Sequence, residues 1–283
     1  MKKTILSIIP FLLGIAILQS AFSAEISHET QNIPYYTQDV SIQGDKSYAE
    51  ERCRLDVYRP EAAPDKAPVL VWFHGGGLSG GNRHIPGAFL DQKFIIVPVN
   101  YRLYPKAKCQ DIIFDAAAAV AWTFKNIEKY GGDPRKICVS GHSAGGYLSA
   151  MITLDPQYLA KYGISNMDLA ASFPVSGQMT THFQVVGETQ DPTKKHGANN
   201  PLQINEMAPL YFTKVKCPPI HLLVGDPKLE WPARVEENAL LAAMLRTVKE
   251  HNQVEFRSYE GTNHGTVAKP ACAYIRDCLN EMK

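Results

Sequence analysis

A strand that runs into a sharp turn and then directly into a helix most constrains the fold of this sequence. Residues 136–140 are rich in β-branched side chains, and residues 147–152 form an apolar helical segment. Between them, Gly141 and Gly145 stand two residues on either side of Ser143, and their lack of side chains lets the backbone turn without a clash. Such an elbow leaves the Ser143 hydroxyl exposed at the start of a helix, as a nucleophile requires. An ordinary turn of small residues is the alternative.

A glycine-rich loop follows an earlier strand of the sequence. Residues 69–73 read as a buried strand, and His74 and three glycines come directly after it. In acyl transfer, backbone N–H groups freed by such glycines can bind the developing oxyanion. We assign this role to Gly76, Gly77 and Ala144. A flexible loop is the alternative; a phosphate-binding loop is disfavoured because no Gly-Lys-Ser/Thr follows.

A histidine close to the end of the chain is the candidate general base. His264 stands in the polar, glycine-flanked segment 261–265, after the alternating strand 254–259. A serine hydroxyl is a poor nucleophile until a neighbouring imidazole takes its proton. We choose His264 among the nine histidines because of its position along the chain. Hydrolases with this elbow place the serine first, then the acid and then the histidine.

Two carboxylates compete for the role of the acid that orients the histidine. Both Asp226 and Glu230 follow the strand 219–224. Asp226 adjoins the end of the strand and precedes a proline, as a turn residue does, whereas Glu230 has a longer side chain that can reach Nδ1 of His264. We favour Glu230 and keep Asp226 as the alternative.

These motifs together resemble those of the α/β-hydrolases of the esterase and lipase type that carry an HGGG oxyanion motif. Within that superfamily, the chain resembles the bacterial feruloyl-esterase-like (BD-FAE) group and is similar to hormone-sensitive-lipase-like carboxylesterases. The matching residues are 55–60, 74–77, 99–103, 131–134, 141–146 and 263–265. The resemblance implies ester hydrolysis without a cofactor or metal, with Ser143 as nucleophile and His264 as base. This chain departs from the family pattern at Lys228, which stands where many such enzymes carry the acid.

Strands and helices alternate along the rest of the sequence. We expect strands at residues 39–43, 54–58, 69–73, 94–99, 136–140, 169–175, 220–224 and 254–259, and helices at about 111–130, after the elbow, at 233–250 and from 268. This pattern predicts an α/β-hydrolase fold, with a mainly parallel central sheet covered by helices on both faces. One catalytic domain is expected over residues 24–283.

A polar stretch at 178–209 lacks clear periodicity and follows the strand that ends at Val175. An insertion there would overlie the edge of the sheet that carries the site, so we predict a short lid or substrate wall. His182 and Phe183 are its candidate substrate-binding residues. Loop residues that pack on the body of the protein are the alternative.

The N-terminus has the pattern of a secretory signal peptide. Lys2 and Lys3 precede an apolar core at residues 5–18, and small residues at 20–24 suit cleavage after Ser23. The core is shorter than the span of about 20 residues that a membrane helix needs, so no stable anchor is expected. We therefore predict export of residues 24–283 to the periplasm or the medium.

Six cysteines in an exported chain permit disulfides without specifying any. No CxxC pair is present, and Cys138 stands in the strand before the elbow, where a buried thiol is expected. Cys272 and Cys278 are six residues apart in a predicted helix, too far for a bridge.

The charge of the chain excludes some classes of partner. The formal net charge is +1 and falls to about −1 when the two leader lysines are removed, with no basic cluster elsewhere. We expect no nucleic acid partner and a neutral small-molecule or polysaccharide-linked ester as substrate. Acetyl or feruloyl esters of plant polysaccharide fit best. An arylformamidase or peptidase of the same fold, and an inactive hydrolase-like binding protein, are the alternatives.

Overall fold

A computed structural model describes residues 26–37, 41–89, 92–197, 202–248 and 253–282 of the chain. The leader predicted at residues 1–23 lies outside the described residues. Among the residues that are described, no helix is long and apolar enough to span a bilayer.

Eight strands of the described chain form one sheet in the order β1-β2-β4-β3-β5-β6-β7-β8. They are β1 (Ile26–Pro34), β2 (Arg54–Pro60), β3 (Ala67–Phe73), β4 (Ile95–Val99), β5 (Gly132–His142), β6 (Ala171–Val175), β7 (Ile220–Val224) and β8 (Val254–Ser258). The pairs β1–β2 and β2–β4 are antiparallel, and all the others are parallel.

α-Helices lie in most of the connections between parallel strands, as crossover connections usually require. Those of the described residues are α1 (Lys46–Arg52), α2 (Cys109–Asn126), α3 (Ala144–Leu154), α4 (Pro156–Ala160), α5 (Phe183–Gln190), α6 (Arg234–Thr247) and α7 (Ala268–Asn280). The predicted mainly parallel sheet with alternating helices is therefore confirmed.

One predicted strand is wrong. Of the expected strand at 39–43, residues 41–43 form no strand, and residues 39–40 lie outside the described part. The partner of β2 is β1, which begins at Ile26. Residues 41–43 lead into α1 instead, and the carbonyl of Gln43 accepts a hydrogen bond from Arg102. A pattern of alternation over five residues is too short to distinguish these two arrangements.

Both faces of the sheet are covered. In β3, Val69, Val71 and Phe73 pack into one hydrophobic cluster with α2 and α3, whereas Leu70 and Trp72 pack into a second cluster with α7. All five side chains are at most 2% exposed. This burial of alternate residues on opposite faces explains why the strand reads as a continuous apolar run.

A buried ion pair fixes the loop after β4. The guanidinium of Arg102 donates to both carboxylate oxygens of Asp115 in α2, at 2.8 and 2.7 Å, and both side chains are fully buried. The hydroxyl of Tyr36 donates to the same carboxylate at 2.7 Å. These hydrogen bonds compensate the two charges for the loss of contact with water on burial.

The segment 178–209 differs from the aperiodic loop that its composition predicts. Its described residues contain α5, and residues 178–186 are buried against the body of the protein. Phe183, Val185 and Val186 supply apolar contacts for that burial, which the many polar residues of the segment conceal in the sequence.

Candidate active site

The elbow between β5 and α3 holds Ser143 in an unusual backbone conformation. Its φ is 58° and its ψ is −115°, a region that residues with a side chain rarely adopt. The flanking glycines are required by space: a Cβ on Gly145 would lie 2.0 Å from the carbonyl oxygen of Phe73, and one on Gly141 would lie 2.5 Å from the same atom. Ser143 is only 9% exposed, so its hydroxyl is less accessible than the sequence suggests.

Three side chains from separate loops form a continuous hydrogen-bonded chain. Nε2 of His264 lies 2.9 Å from Oγ of Ser143, and Nδ1 of His264 lies 2.7 Å from Oε1 of Glu230. A carboxylate can only accept, so Nδ1 carries the proton and Nε2 is free to accept the proton of the serine. All three residues follow the carboxyl ends of parallel strands, namely β5, β7 and β8.

Glu230 is held as a carboxylate by several donors. Burial alone would raise its pKa, but hydrogen bonds from His264, from the Ser176 hydroxyl and from the backbone N–H of Trp231 together lower that pKa to about 2. The hydroxyl of Ser176 donates to Oε2 at 2.6 Å, and the N–H of Trp231 donates to Oε1 at 2.9 Å. Glu230 is therefore ionised at any pH at which the protein is expected to work.

Asp226 stands apart from the histidine and shapes the turn. Its carboxylate accepts hydrogen bonds from the N–H groups of Lys228 at 2.9 Å and Gly261 at 2.8 Å. Its carbonyl accepts from the N–H of Glu230 at 2.8 Å. Asp226 thus joins the loop after β7 to the loop that carries His264, and the structure brings Glu230, not Asp226, to the imidazole.

The glycine loop after β3 faces the elbow. Gly76 and Gly77 have φ values of 115° and 61°, and a Cβ on Gly76 would lie 2.2 Å from the carbonyl oxygen of Gly80. Within the part of the chain that the structure describes, the N–H groups of Gly76, Gly77 and Ala144 donate to no protein acceptor. Three backbone donors thus remain available beside Ser143 for an oxygen of a ligand.

His182 and Phe183 have different surroundings. His182 is 2% exposed and its Nδ1 accepts from the N–H of Gln184 at 3.2 Å, so it caps α5; burial, with the nearby Arg234, lowers its pKa to about 3. The ring of Phe183 lies 3.1 Å from the position that a Cβ of Gly77 would take. Only Phe183 is thereby placed directly against the glycine loop.

Three residues near the site escape prediction from the sequence. The indole of Trp231 stacks on the imidazole of His264, with ring centroids 4.0 Å apart and an interplanar angle of 16°. Nε2 of His142 donates to the carbonyl oxygen of His264 at 2.6 Å. The third is Ser176, whose position directly after β6 is the one signal that marks it, because side chains at the carboxyl ends of parallel strands meet at one edge.

In the described ranges, no group of three or more His, Cys, Asp and Glu side chains is arranged to hold a metal ion. Cys138 is fully buried, as expected for the strand before the elbow. The groups that the site itself supplies are a hydroxyl, an imidazole and a carboxylate.

Two solved structures with a similar architecture are esterases. A truncated form of a carbohydrate esterase from gut microbiota superposes with a TM-score of 0.70 at 18% identity, covering 92% of this chain and 98% of the other. Thermogutta terrifontis esterase 2, phosphoramylated by tabun, superposes with a TM-score of 0.65 at 19% identity, covering 90% and 95%. The chain accordingly has the α/β-hydrolase fold.

Relatives in sequence match shorter segments. Esterase LipC of Mycobacterium tuberculosis is 41% identical over 116 residues, which are 38% of this chain and 29% of that protein. Carboxylesterase NlhH of the same species is 42% identical over 101 residues, which are 34% of this chain and 32% of that protein. The chain thus spans only about a third of the length of these two relatives.

A family model matches a much larger share of the sequence. The match is to BD-FAE and runs over residues 55–229, which contain the glycine loop and the elbow. Because this match spans more than half of the chain, the protein belongs to the BD-FAE family.

Proposed function

We propose that this protein is a serine hydrolase that cleaves carboxylic esters through an acyl-enzyme. The observation that carries the proposal is the continuous hydrogen-bonded chain from Ser143 through His264 to Glu230. Ser143 attacks the ester carbonyl while His264 takes its proton, and the same imidazole then returns that proton to the leaving alcohol. Water then attacks the acyl-enzyme while His264 takes its proton. The imidazole returns that proton to Oγ of Ser143 as the bond to the acyl group breaks and the acid leaves.

The backbone beside the nucleophile serves the oxyanion in this mechanism. The N–H groups of Gly76, Gly77 and Ala144 point to no protein acceptor among the described residues, so they can stabilise the negative oxygen of each tetrahedral intermediate. Glu230 holds the tautomer of His264 and stabilises the imidazolium that forms during attack. The esterase relatives support the same reaction class.

The substrate we propose is a neutral ester of small or polysaccharide-linked type, with acetyl and feruloyl esters of plant polysaccharide as the candidates. The similar fold of a carbohydrate esterase supports this choice. We also propose that the leader is cleaved after Ser23 and that the enzyme acts outside the cytoplasm; the signal-like pattern of the sequence supports this.

The experiment compares the protein with its Ser143→Ala variant on p-nitrophenyl acetate, and labels both with a fluorophosphonate. An esterase of similar fold reacts with an organophosphorus compound, which supports the choice of probe. We expect one label, on Ser143, and a loss of about 10⁴ or more in kcat in the variant. Full activity of Ser143→Ala, or a label on another residue, would contradict the mechanism. An intact protein with no turnover would favour a hydrolase-like binding protein.

A further inference from the structure

The leaving alcohol must receive a proton from His264, and this requirement fixes where the alcohol and the acyl group of an ester lie in the site. When the carbonyl oxygen lies against the N–H groups of Gly77 and Ala144, the leaving oxygen must face Nε2 of His264 to receive its proton. The third substituent of the tetrahedral carbon, which is the acyl chain, then points away from His264. The residues around His264 thus meet the alcohol, and those on the far side of the glycine loop meet the acyl group.

Buried aromatic side chains lie beside the glycine loop, on the side that this geometry assigns to the acyl group. The ring of Phe183 lies next to Gly77, 3.1 Å from the position that a Cβ on this glycine would take. Behind it, His182 packs on Phe183 with ring centroids 4.3 Å apart and on Tyr147 at 5.0 Å. These three side chains are 8%, 2% and 0% exposed.

Hydrogen bonds hold this wall in place. The hydroxyl of Tyr147 donates to the carbonyl of Met207 at 2.7 Å, and the N–H of Phe183 donates to Oε1 of Gln178 at 3.3 Å. His182 caps the helix that carries Phe183, as described above. A wall that is both buried and bonded cannot move aside without breaking contacts, because protein interiors are close-packed.

The alcohol side is open. Trp231 lies on His264 and is 40% exposed, and Leu229, two residues earlier, is 51% exposed. Both belong to the loop after β7 that presents Glu230 to the imidazole. Exposed apolar side chains at the rim of a site can contact a large leaving group at no cost in packing.

From this asymmetry we infer that the enzyme acts on short-acyl esters of bulky alcohols, of the acetyl type, and that Phe183 limits the length of the acyl group. The inference rests on the proposed ester hydrolysis and selects between its two candidate substrates. A feruloyl group is a long, rigid aromatic acyl chain, and on this side of the site it would have to displace the buried ring of Phe183. An acetyl group adds only one methyl to the carbonyl carbon, and a large alcohol extends past Trp231 into solvent.

The test uses p-nitrophenyl acetate, butyrate and octanoate, which share one leaving group. We expect kcat/KM to fall at least about tenfold from acetate to butyrate and further to octanoate, because a few methylenes change transition-state binding in a closed pocket by this amount or more. Phe183→Ala should raise the ratio of butyrate to acetate about tenfold, and Phe183→Leu should raise it less. Tyr211→Ala, which removes an aromatic ring that is 59% exposed, is the matched control and should leave the ratio unchanged.

The outcomes separate the inference from the function on which it rests. If none of the esters is hydrolysed, the proposed ester hydrolysis fails. If all are hydrolysed and butyrate or methyl ferulate is turned over as well as the acetyl ester, only the inference fails. If a folded Phe183→Ala protein has the same ratio of butyrate to acetate activity as the parent, Phe183 does not limit the length of the acyl group. If the Ala variant does not fold, the same comparison with Phe183→Leu decides this point. Ethyl and cyclohexyl acetate compare the alcohols, and a tenfold loss on the larger one would contradict the open side.

Discussion

Replacing Glu230 with glutamine removes one charge from the site with little change in shape. The carboxylate lies 2.7 Å from Nδ1 of His264, which places the two charge centres about 4 Å apart when the imidazolium forms. At an effective dielectric constant of about 20, their attraction is about 4 kcal/mol. Since about 1.4 kcal/mol corresponds to a factor of ten in rate, Glu230→Gln should lower kcat about a thousandfold.

The assay is the hydrolysis of p-nitrophenyl acetate by Glu230→Gln, with Asp226→Asn as the matched control in the same loop. Asp226 contacts backbone N–H groups and not the imidazole, so Asp226→Asn should keep kcat within a few fold. Thermal unfolding of both variants must resemble that of the parent before the kinetics are compared. If the folded Asp226→Asn protein is inactive while Glu230→Gln turns over normally, the electrostatic argument is refuted.

Three further predictions concern stability and processing. Arg102→Met leaves the carboxylate of Asp115 buried without its partner and should lower the free energy of unfolding in urea by about 3–5 kcal/mol; a loss near zero would contradict this. Since burial and nearby Arg234 lower the pKa of His182 to about 3, the unfolded chain binds more protons below pH 6.5. The free energy of unfolding should therefore decrease as the pH is lowered from 6.5 to about 3. His182→Asn should reduce the slope of that free energy against pH by about 1.4 kcal/mol per pH unit; equal slopes in the parent and the variant would argue against it. Protein recovered from the periplasm or medium should begin at or near Ala24 by intact mass, and a purely cytoplasmic protein that retains Met1 would refute export.

The parts of the fold that could be predicted are those that short segments determine. Strands β3, β4 and β7 are runs of β-branched and aromatic residues, so their positions follow from local composition. The elbow at Ser143 is likewise specified within six residues, because only glycine fits at its two flanking positions. The start of the sheet was placed wrongly, since the pairing of β1 with β2 depends on partners that are distant in sequence.

The site was less predictable than the fold for the same reason. Ser143 and His264 stand out by their motifs, and the choice of Glu230 over Asp226 depended on the reach of a side chain. The contacts that position Glu230 come from other loops, and no spacing in the sequence connects Ser176 with a residue 54 positions away. The position of the segment predicts a substrate wall at His182 and Phe183, but its burial is not predicted, because the segment is polar in composition and becomes buried only when α5 packs on the body.

The stacking of Trp231 on His264 gives the protein an intrinsic optical reporter. An indole in van der Waals contact with an imidazole loses emission when that imidazole gains a proton, because the cation accepts an electron from the excited ring. Trp122 and Trp72, by contrast, belong to the first and second hydrophobic clusters, respectively. We therefore expect the emission of Trp231 to respond to a charge on the imidazole against which it stacks, without a label or an inhibitor.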